Sequence, residues 1–578
     1  MKDFLYSTEA NAAQNLKART EESEIFQGET IHPYEGEWGS LLVTDDHYTG
    51  FPPYEDEDHL LFVIGGPLFN GEDFLSSAPS LLEDWETMDV ADVFDGPFVL
   101  LKVDKRQKQV ECVTDLLSFI PVYKGEKDQE TAIATHVDLL ADALGERQRR
   151  DVVSEIDFIL HGAITYPYTA YENLRQLTPG TVHTLDKESR ELTARTYWLP
   201  EEVLRYTSVD DAATDLRTAV ERYVDRVTAG QSSVAHFISG GEDSRTIAGL
   251  IPDHLSKDAF VFLDNLNLEG KIAEKSARIY GSEFHFYPRD PLHYLYILPD
   301  CSDLVGSGSE YKHAHTYGFD EKARLNEYPV VLGGLFSDAM LKGSRIKKMR
   351  GSSRFPFLPD IKNTFHTINQ ETNTEVFSEE ILSELRRRRD AHFDVVKEMR
   401  PVSAKEWFQL WPASMNMNIP NLHVNRRLFS SYEPFMANGV VKLSASVPQK
   451  WKMNRILFHR AFRPYLKPAW WLWHSDGRFP YFSRYTNILP QMATWMYKSV
   501  AAKTGAMKGH QGPFADWGTI FRSEAFRQMK GEHLDYAGKL RGTMNEGVPF
   551  EDIFESDGLQ SPQKINLLQV LHHHRKDR

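Results

Sequence analysis

The chain has 578 residues, of which 41% are hydrophobic and 26% are charged, so its composition is that of a globular protein and excludes wholesale disorder. Its 83 acidic and 66 basic side chains give a formal net charge of −17, which argues against sequence-independent binding to duplex DNA. No apolar run approaches the roughly 18 residues that span a bilayer, and the first residues lack the apolar centre of a signal peptide. We therefore expect neither a nucleic-acid partner nor a membrane partner.

Cysteine usage bears on the cellular compartment. The chain has two cysteines, Cys112 and Cys301, which are far apart in sequence. Two such residues provide neither a disulfide framework nor a thiolate zinc site. Their number favours a reducing compartment, and we expect the protein in the cytoplasm.

The first 200 residues predict short strands and turns. Apolar runs at 60–64, 98–103 and 110–113 are typical of buried strands, and the last two predict a hairpin. Residues 182–185 and 193–197 follow a Thr-Pro-Gly turn and predict a second, closing hairpin. This part is therefore expected to be α+β and rich in antiparallel sheet.

The pattern changes beyond residue 200. Apolar residues recur at helical spacing over 209–227, and strands predicted at 233–238, 259–263 and 283–287 then alternate with helices. Alternation of strand and helix is typical of parallel βαβ units. This second part is therefore expected to be of the α/β class.

Three further segments have local signals. Residues 350–374 are poor in helix-forming patterns and predict a loop. The indoles of Trp470, Trp471 and Trp473 suit either core packing or the lining of a substrate cleft, since aromatic rings supply contact area in both settings. The run of histidines from His572 to His574 predicts a disordered tail.

The main chemical signal is the run His236-Phe-Ile-Ser-Gly-Gly-Glu-Asp-Ser-Arg245. An apolar strand leads into Ser239, Gly240 and Gly241, and a helix begins near Ser244. Glycines let the backbone approach a phosphate closely, while successive amides and a helix N-terminus attract the anion. Asp243 and a phosphate are both negative, so Asp243 suits such a site only if a divalent cation such as Mg²⁺ bridges them. The run therefore predicts a phosphate-binding turn more strongly than a turn whose glycines serve the backbone alone.

Several motifs together resemble one enzyme superfamily. The chain has no G-x-x-x-x-G-K-[ST] loop, so γ-phosphate transfer is not expected. The run 236–245 resembles the pyrophosphate loop of the N-type ATP pyrophosphatases, which cleave ATP between the α- and β-phosphates. Val330-Val-Leu-Gly-Gly-Leu-Phe-Ser-Asp-Ala-Met-Leu-Lys-Gly343 is similar to a second loop, Ser-Gly-Glu-Gly-Ala-Asp-Glu-Leu-Phe-Gly-Gly, whose Asp falls on Asp338. With the runs 431–436, 451–462 and 476–480, these motifs resemble the synthetase domain of the asparagine synthetase superfamily, which includes β-lactam synthetases and lasso-peptide cyclases.

The first half resembles the N-terminal-nucleophile glutaminase domain of the same superfamily. The matching runs are Asp95-Gly-Pro-Phe98, Thr114-Asp-Leu-Leu-Ser-Phe-Ile-Pro-Val-Tyr123 and Ala134-Thr135. The resemblance implies a class II glutamine amidotransferase-like sandwich over residues 1–200. It implies an α/β ATP pyrophosphatase domain, of the adenine nucleotide α-hydrolase type, over residues 201–578. Such a glutaminase needs Cys as its first residue after Met, where this chain has Lys2, so we expect no glutaminase activity.

The resemblance also implies site residues and the cofactors ATP and Mg²⁺. Asp243 and Asp338 would hold Mg²⁺, and Phe262 would lie beside the adenine. The residues implied to bind the ATP phosphates are Ser239, Gly240, Gly241, Asp243, Ser244, Gly333 and Gly334. The catalytic Lys of the superfamily falls near Arg455 or, in a shifted register, on Lys452. The Glu of the second loop falls on Leu335, which cannot transfer a proton, and Arg245 could reach a phosphate or pair with a neighbouring acid.

These assignments imply an ATP-dependent carbon–nitrogen ligase. A substrate carboxylate would attack the α-phosphorus, pyrophosphate would leave, and an amine or ammonia would attack the acyl-adenylate to give an amide and AMP. The substrate would be a small molecule or peptide with a carboxylate and an amine, in natural-product or peptide biosynthesis, and a homodimer is compatible with the resemblance. Two alternatives remain open: an intramolecular amide cyclase and a nucleotide-binding pseudoenzyme.

Overall fold

The computed structural model describes residues 2–22, 29–45, 47–48, 50–346, 376–504, 515–545, 547 and 549–577. The loop predicted at 350–374 lies outside these residues. Within the described ranges, no helix is both long enough and apolar enough to cross a membrane.

The first part of the chain is built mainly from antiparallel strands. Its strands are β1 (Phe4–Ser7), β2 (Ile31–Gly36), β3 (Gly39–Thr44), β4 (Tyr54–Glu55), β5 (His59–Ile64), β6 (Leu68–Phe69), β7 (Phe94–Asp95), β8 (Val99–Asp104), β9 (Gln109–Thr114), β10 (Tyr123–Lys127), β11 (Glu130–Ala134), β12 (Leu174–Gln176), β13 (Thr181–Asp186) and β14 (Leu192–Thr196). Its helices are α1 (Ala13–Glu22), α2 (Phe74–Glu83), α3 (Val90–Val93), α4 (Val137–Ala143) and α5 (Val152–His161).

These elements form a four-layer sandwich. Two antiparallel sheets, ordered β12-β10-β11-β1-β3-β2 and β14-β13-β9-β8-β5-β4, face each other across a core that includes Tyr6, Phe62 and Leu101. Helices α1 and α4 cover the outer face of the first sheet, and α2 covers that of the second. Strands such as β5, with the sequence HLLFVI, are apolar at nearly every position because both of their faces are buried. The predicted hairpins are confirmed as β8–β9 and β13–β14.

The second part alternates strands with helices. Its strands are β15 (Ser233–Phe237), β16 (Ser256–Leu263), β17 (Glu283–Pro288), β18 (Val331–Leu332) and β19 (Ser431–Tyr432). Its helices are α6 (Val209–Thr228), α7 (Glu242–Leu250), α8 (Leu268–Ile279), α9 (His293–Tyr296), α10 (Leu298–Val305), α11 (Ser337–Leu341), α12 (Glu379–Met399), α13 (Ala404–Trp407), α14 (Ile419–Leu428), α15 (Asn438–Ala445), α16 (Gln449–Lys452), α17 (Ile456–Leu466), α18 (Arg484–Thr504), α19 (Trp517–Arg522), α20 (Glu524–Leu534) and α21 (Ser561–Lys576).

The sheet of this second part is parallel throughout, in the order β17-β16-β15-β18-β19. Helix α6 leads into it. The Ser208 side chain caps α6 by accepting from the Asp210 amide, and acidic residues in its first turn suit the helix dipole. The α+β sandwich followed by a parallel α/β domain is the fold class that the sequence predicts, and it is confirmed.

The two parts are in contact through buried charges and through the last helix. Arg426 and Arg427, at the end of α14, form ion pairs with Asp3 at 2.9 and 2.7 Å, and all three side chains are almost fully buried. Helix α21 packs against α5 in one apolar cluster. The disordered tail predicted for His572 to His574 is therefore wrong. These residues belong to α21, which leucines three and four positions apart bury against the rest of the chain.

Candidate active site

Two glycine-containing loops meet at the carboxyl edge of the parallel sheet, at the point where the chain stops adding strands on one side of β15 and starts adding them on the other. Strand β15 is central, and the chain continues to β16 on one side and later to β18 on the other. Ligands of open α/β sheets bind outside the carboxyl ends of the strands at this switch point. The loop after β15 carries Ser239, Gly240 and Gly241, and the loop after β18 carries Gly333 and Gly334. The fold thus brings together two segments that are about ninety residues apart in sequence.

The first loop is held by its own serines. The hydroxyls of Ser239 and Ser244 are 2.9 Å apart, and the Gly241 amide donates to Ser239 Oγ at 3.0 Å. Helix α7 begins at Glu242 with no side-chain hydrogen bond at its N-terminal cap. Its first amides are therefore available to an anion.

The Gly240 amide donates to a carboxylate. It bonds Glu269 Oε1 at 2.6 Å, and Glu269 lies buried in the first turn of α8. A Cβ atom at Gly240 would lie 2.8 Å from that oxygen, so a larger residue there would force the Glu269 carboxylate to move. The loop thus binds an anionic oxygen in the way expected of a phosphate-binding turn.

The second loop packs against a buried carboxyl group that the sequence did not single out. The Leu335 amide donates to Glu433 Oε2 at 2.8 Å, and a Cβ atom at Gly333 would overlap the same carboxyl group. Glu433 directly follows β19, the parallel neighbour of β18. Burial raises the pKa of Glu433 to about 8, although the Leu335 amide and the Ser431 hydroxyl act to lower it. A titratable group therefore lies beside the position where the superfamily's Glu is missing.

Asp243 and Asp338 converge on a lysine. The Lys342 ammonium contacts Asp243 and lies 3.1 Å from Asp338 and 3.3 Å from Glu242. The Lys342 side chain is 3% exposed, whereas those of Asp243 and Asp338 are 22% and 58% exposed. Burial alone would lower the pKa of Lys342, but the three carboxylates raise it above its ordinary value, so the group carries a positive charge.

The residues present fit a divalent cation. Carboxylate oxygens are the ligands that Mg²⁺ prefers, and the carboxylates of Asp243 and Asp338 are directed at one point, which the Lys342 ammonium marks. The structure therefore brings together the two aspartates implied as metal ligands, with a lysine between them that was not foreseen.

Of the two basic candidates, Arg455 is at this site and Lys452 is not. Arg455 has a left-handed backbone with φ of 65° just before α17, and its guanidinium forms an ion pair with Glu242. Arg478 approaches Glu242 from the other side at 3.6 Å. The Lys452 ammonium instead pairs with Glu406 at 2.8 Å, and both side chains are 1% exposed. The structure therefore brings Arg455, and not Lys452, to the two loops.

Arg245 contacts backbone carbonyls rather than the neighbouring acid considered for it. Its guanidinium donates to the backbone carbonyls of Gly240, Leu472 and Trp473 at 2.8 to 2.9 Å. The buried Arg245 thus fixes the loop to the tryptophan-rich segment and forms no ion pair with an acid among the described residues. Trp470, Trp471 and Trp473 are about half exposed, so core packing is not their role.

A cavity of about 210 Å³ adjoins both loops. Its lining includes Ser239, Gly333, Gly334 and Glu433, together with Phe262 near the end of β16. The Phe262 ring stacks on Phe319 with 4.8 Å between ring centres. Phe262 therefore lies near the end of the strand that neighbours the first loop, and its placement beside an adenine stays a prediction.

The sequence profile of one protein family covers this region. The profile described as asparagine synthase matches residues 215–549, which is more than half of the chain. The chain belongs to the asparagine synthase family. This assignment places the two loops, the aspartates and Arg455 within the matched part.

A curated relative and two solved structures are similar to the chain. "Asparagine synthetase [glutamine-hydrolyzing] 3" of Bacillus subtilis (strain 168) is 23% identical over 256 residues, which are 40% of this chain and 40% of that protein. The structure of "the allosteric regulatory enzyme of purine biosynthesis" has a TM-score of 0.22 at 9% identity, covering 59% of this chain and 76% of the other. The glutamine phosphoribosylpyrophosphate amidotransferase of B. subtilis, complexed with ADP and GMP, has a TM-score of 0.21 at 8% identity, covering 49% and 65%. At these TM-scores the structural likenesses carry no inference.

Two residues near the loops, Lys342 and Glu433, were not among the site residues predicted from the sequence. When Asp338 is aligned with the Asp of the second-loop motif, Lys342 falls on a Gly of its Gly-Gly pair. Glu433 lies 98 residues beyond Leu335, the residue whose amide it binds. The lysine at a motif glycine is a signal that the sequence offers, whereas the matched run 431–436 does not show that Glu433 contacts the second loop.

Proposed function

We propose that the chain is an ATP-dependent carbon–nitrogen ligase that adenylates a substrate carboxylate and transfers the acyl group to an amine or ammonia. The observation that carries the proposal is the meeting of the two glycine loops and of Asp243 and Asp338 at the switch point of the parallel sheet. Membership of the asparagine synthase family supports the same reaction class.

In this proposal the first loop holds the pyrophosphate. The backbone of Gly240 and Gly241 and the hydroxyls of Ser239 and Ser244 would face the β- and γ-phosphates, with the N-terminus of α7 behind them. The amide that now binds Glu269 would turn to a phosphate oxygen. Gly333 and Gly334 would lie beside the α-phosphate, because they line the same cavity as Ser239.

Charge compensation would come from several groups. Mg²⁺, when bound to Asp243 and Asp338, would neutralise negative charge on the phosphates. Arg455 is permanently cationic and would stabilise charge that develops at the α-phosphorus. Phe262 would pack against the adenine at the end of β16.

Glu433 is the group we propose for proton transfer in the second step. The amine that attacks the acyl carbon must lose a proton as the C–N bond forms and AMP departs. Leu335 cannot accept that proton, and the Glu433 carboxyl lies directly behind its amide. A carboxyl whose pKa is near 8 can accept and release protons near neutral pH.

We propose that the first part, residues 1–200, has no glutaminase activity. Lys2 stands where that reaction needs a cysteine, and the neighbouring Asp3 is fixed by Arg426 and Arg427. The amine would then come from the substrate itself or from a second molecule, as in natural-product or peptide biosynthesis. Both cysteines are buried and unpaired, which suits a reducing compartment such as the cytoplasm.

The test is release of AMP and pyrophosphate from Mg-ATP in the presence of pooled amino acids, peptides and cell extract. We expect release that depends on one pool and that disappears in Asp243→Ala. Asp225→Ala, which removes an exposed carboxylate from α6, is the matched control and should behave as the wild type. Unchanged release in Asp243→Ala would contradict the metal assignment. Binding of ATP without AMP release from any pool would favour a pseudoenzyme.

A further inference from the structure

Lys342 occupies the point on which the Asp243 and Asp338 carboxylates converge. Its ammonium contacts Asp243 and lies 3.1 Å from Asp338 and 3.3 Å from Glu242. The face of the Phe458 ring lies 4.6 Å away and adds a cation–π contact. The lysine is therefore anchored on several sides rather than extended into solvent.

Cationic side chains face the carboxylates at this point without a metal ion. Glu242, Asp243 and Asp338 are negative, while Lys342, Arg455 and Arg478 are positive. Three carboxylates without Lys342 would attract a divalent cation strongly, because their mutual repulsion is strengthened at low dielectric. With Lys342 in place, a free divalent cation must displace a buried ammonium.

We propose that the Lys342 ammonium occupies the position of the metal ion, so that a divalent cation binds there only together with nucleotide phosphates. The inference rests on the proposed ATP site and adds to it an order of binding. Phosphates would attract the ammonium away from Asp243 and Asp338, and the exposed side of Asp338 is the open route by which a metal–nucleotide complex can approach. The flexible stem of lysine permits that movement.

The experiment measures binding of Mn²⁺ alone, without ATP or turnover, by loss of the free Mn²⁺ signal in electron paramagnetic resonance. We expect Lys342→Met to bind Mn²⁺ at least tenfold more tightly than the wild type. Lys342→Arg keeps the positive charge and should resemble the wild type. Lys312→Met removes another buried lysine, which pairs with Glu310 away from the loops, and should not change Mn²⁺ affinity.

Further variants connect the effect to this site and guard against loss of fold. Adding Asp243→Asn to Lys342→Met should abolish the gained Mn²⁺ affinity, since it removes a ligand. If Lys342→Met does not fold, Glu242→Gln combined with Lys342→Met removes one charge of each sign and should still bind Mn²⁺ more tightly than Glu242→Gln alone.

The proposal is overturned if the wild type binds Mn²⁺ as tightly as Lys342→Met, or if the gain survives Asp243→Asn. Because this titration involves no reaction, it is independent of the AMP assay. A chain that shows the Lys342 effect but releases no AMP would contradict the proposed ligase function alone.

Discussion

The charge cluster at the start of β1 and the one at the carboxyl edge of the parallel sheet differ in their access to solvent. At the start of β1, Asp3 is fully buried, and its carboxylate accepts hydrogen bonds from Arg426, Arg427 and Thr135. At the carboxyl edge of the parallel sheet, Asp243 and Asp338 surround Lys342 but keep part of their surface exposed.

The difference separates a structural charge cluster from a candidate reactive one. Around Asp3 the partners come from both halves of the chain, and the carboxylate oxygens are all engaged, so no ligand can enter without breaking the contact between the halves. Around Lys342 the carboxylate partners lie in the first turns of α7 and α11, which directly follow the two glycine loops. Both regions bury charged side chains, and they differ in whether solvent or a ligand can reach those side chains.

The largest expected effect is on the closed cluster. Asp3→Asn leaves Arg426 and Arg427 buried without a countercharge, and we expect the free energy of unfolding to fall by about 3–5 kcal/mol. Those arginines hold the pKa of Asp3 well below its usual range against the raising effect of burial. The stabilisation is therefore present above the unfolded pKa and is lost as the pH falls. Urea unfolding between pH 3 and 7 measures both effects.

Asp45→Asn is the control for this prediction. Asp45 forms a solvent-exposed pair with His32 at 2.7 Å, and exposed pairs contribute at most about 1 kcal/mol. If Asp3→Asn is no more costly than this surface change, the view of Asp3 as a fixed link between the halves is wrong.

The next effect distinguishes Arg455 from Lys452. Arg455→Met should lower the rate of AMP release about 100-fold, a loss typical of one electrostatic contact in the transition state, while leaving the unfolding free energy nearly unchanged. Lys452→Met should leave the rate per folded molecule unchanged and lower the unfolding free energy by about 3 kcal/mol, because Glu406 loses its buried partner. The opposite pattern would restore Lys452 as the catalytic candidate.

The smallest effect concerns Glu433. Its pKa is raised to about 8 in the folded protein, so between about pH 4.5 and 8 the folded chain keeps a proton that the unfolded chain has lost. Stability should therefore fall as pH rises through this window. Glu433→Gln removes the titration. We expect the difference in unfolding free energy, variant minus wild type, to be at least about 1 kcal/mol larger at pH 8 than at pH 5. A parallel pH dependence in the two proteins would show that Glu433 does not titrate there.

Sequence patterns predict the elements at the start of the parallel sheet well. Strands β15 to β17 and helices α6 to α8 were predicted because apolar periodicity and short turns determine them locally. The first loop was also predictable, since its glycines and serines are adjacent in sequence. Asp338 could be placed beside Asp243 only through the resemblance to the second-loop motif.

The contacts that were missed are long-range. Glu433 is an ordinary acidic residue until β19 pairs with β18 and brings it to Leu335. The tail expected for the histidines of α21 is wrong because local composition does not show that α21 packs against the apolar side chains of α5, some four hundred residues earlier. Lys452 and Arg455 are three residues apart, and the left-handed backbone at Asn454 and Arg455 directs them to different partners.

The packing of α21 against α5 has a consequence for synthesis of the chain. Ribosomes release the N-terminal part first, and domains generally fold in that order. Yet α5 obtains its apolar partner only when residues 561–576 emerge, and Asp3 obtains its arginines only after residue 427. For most of translation the nascent sandwich therefore has an uncovered apolar face and an unpaired acid. We expect it to be a chaperone substrate during that interval and to become protease-resistant only when the last helix is complete.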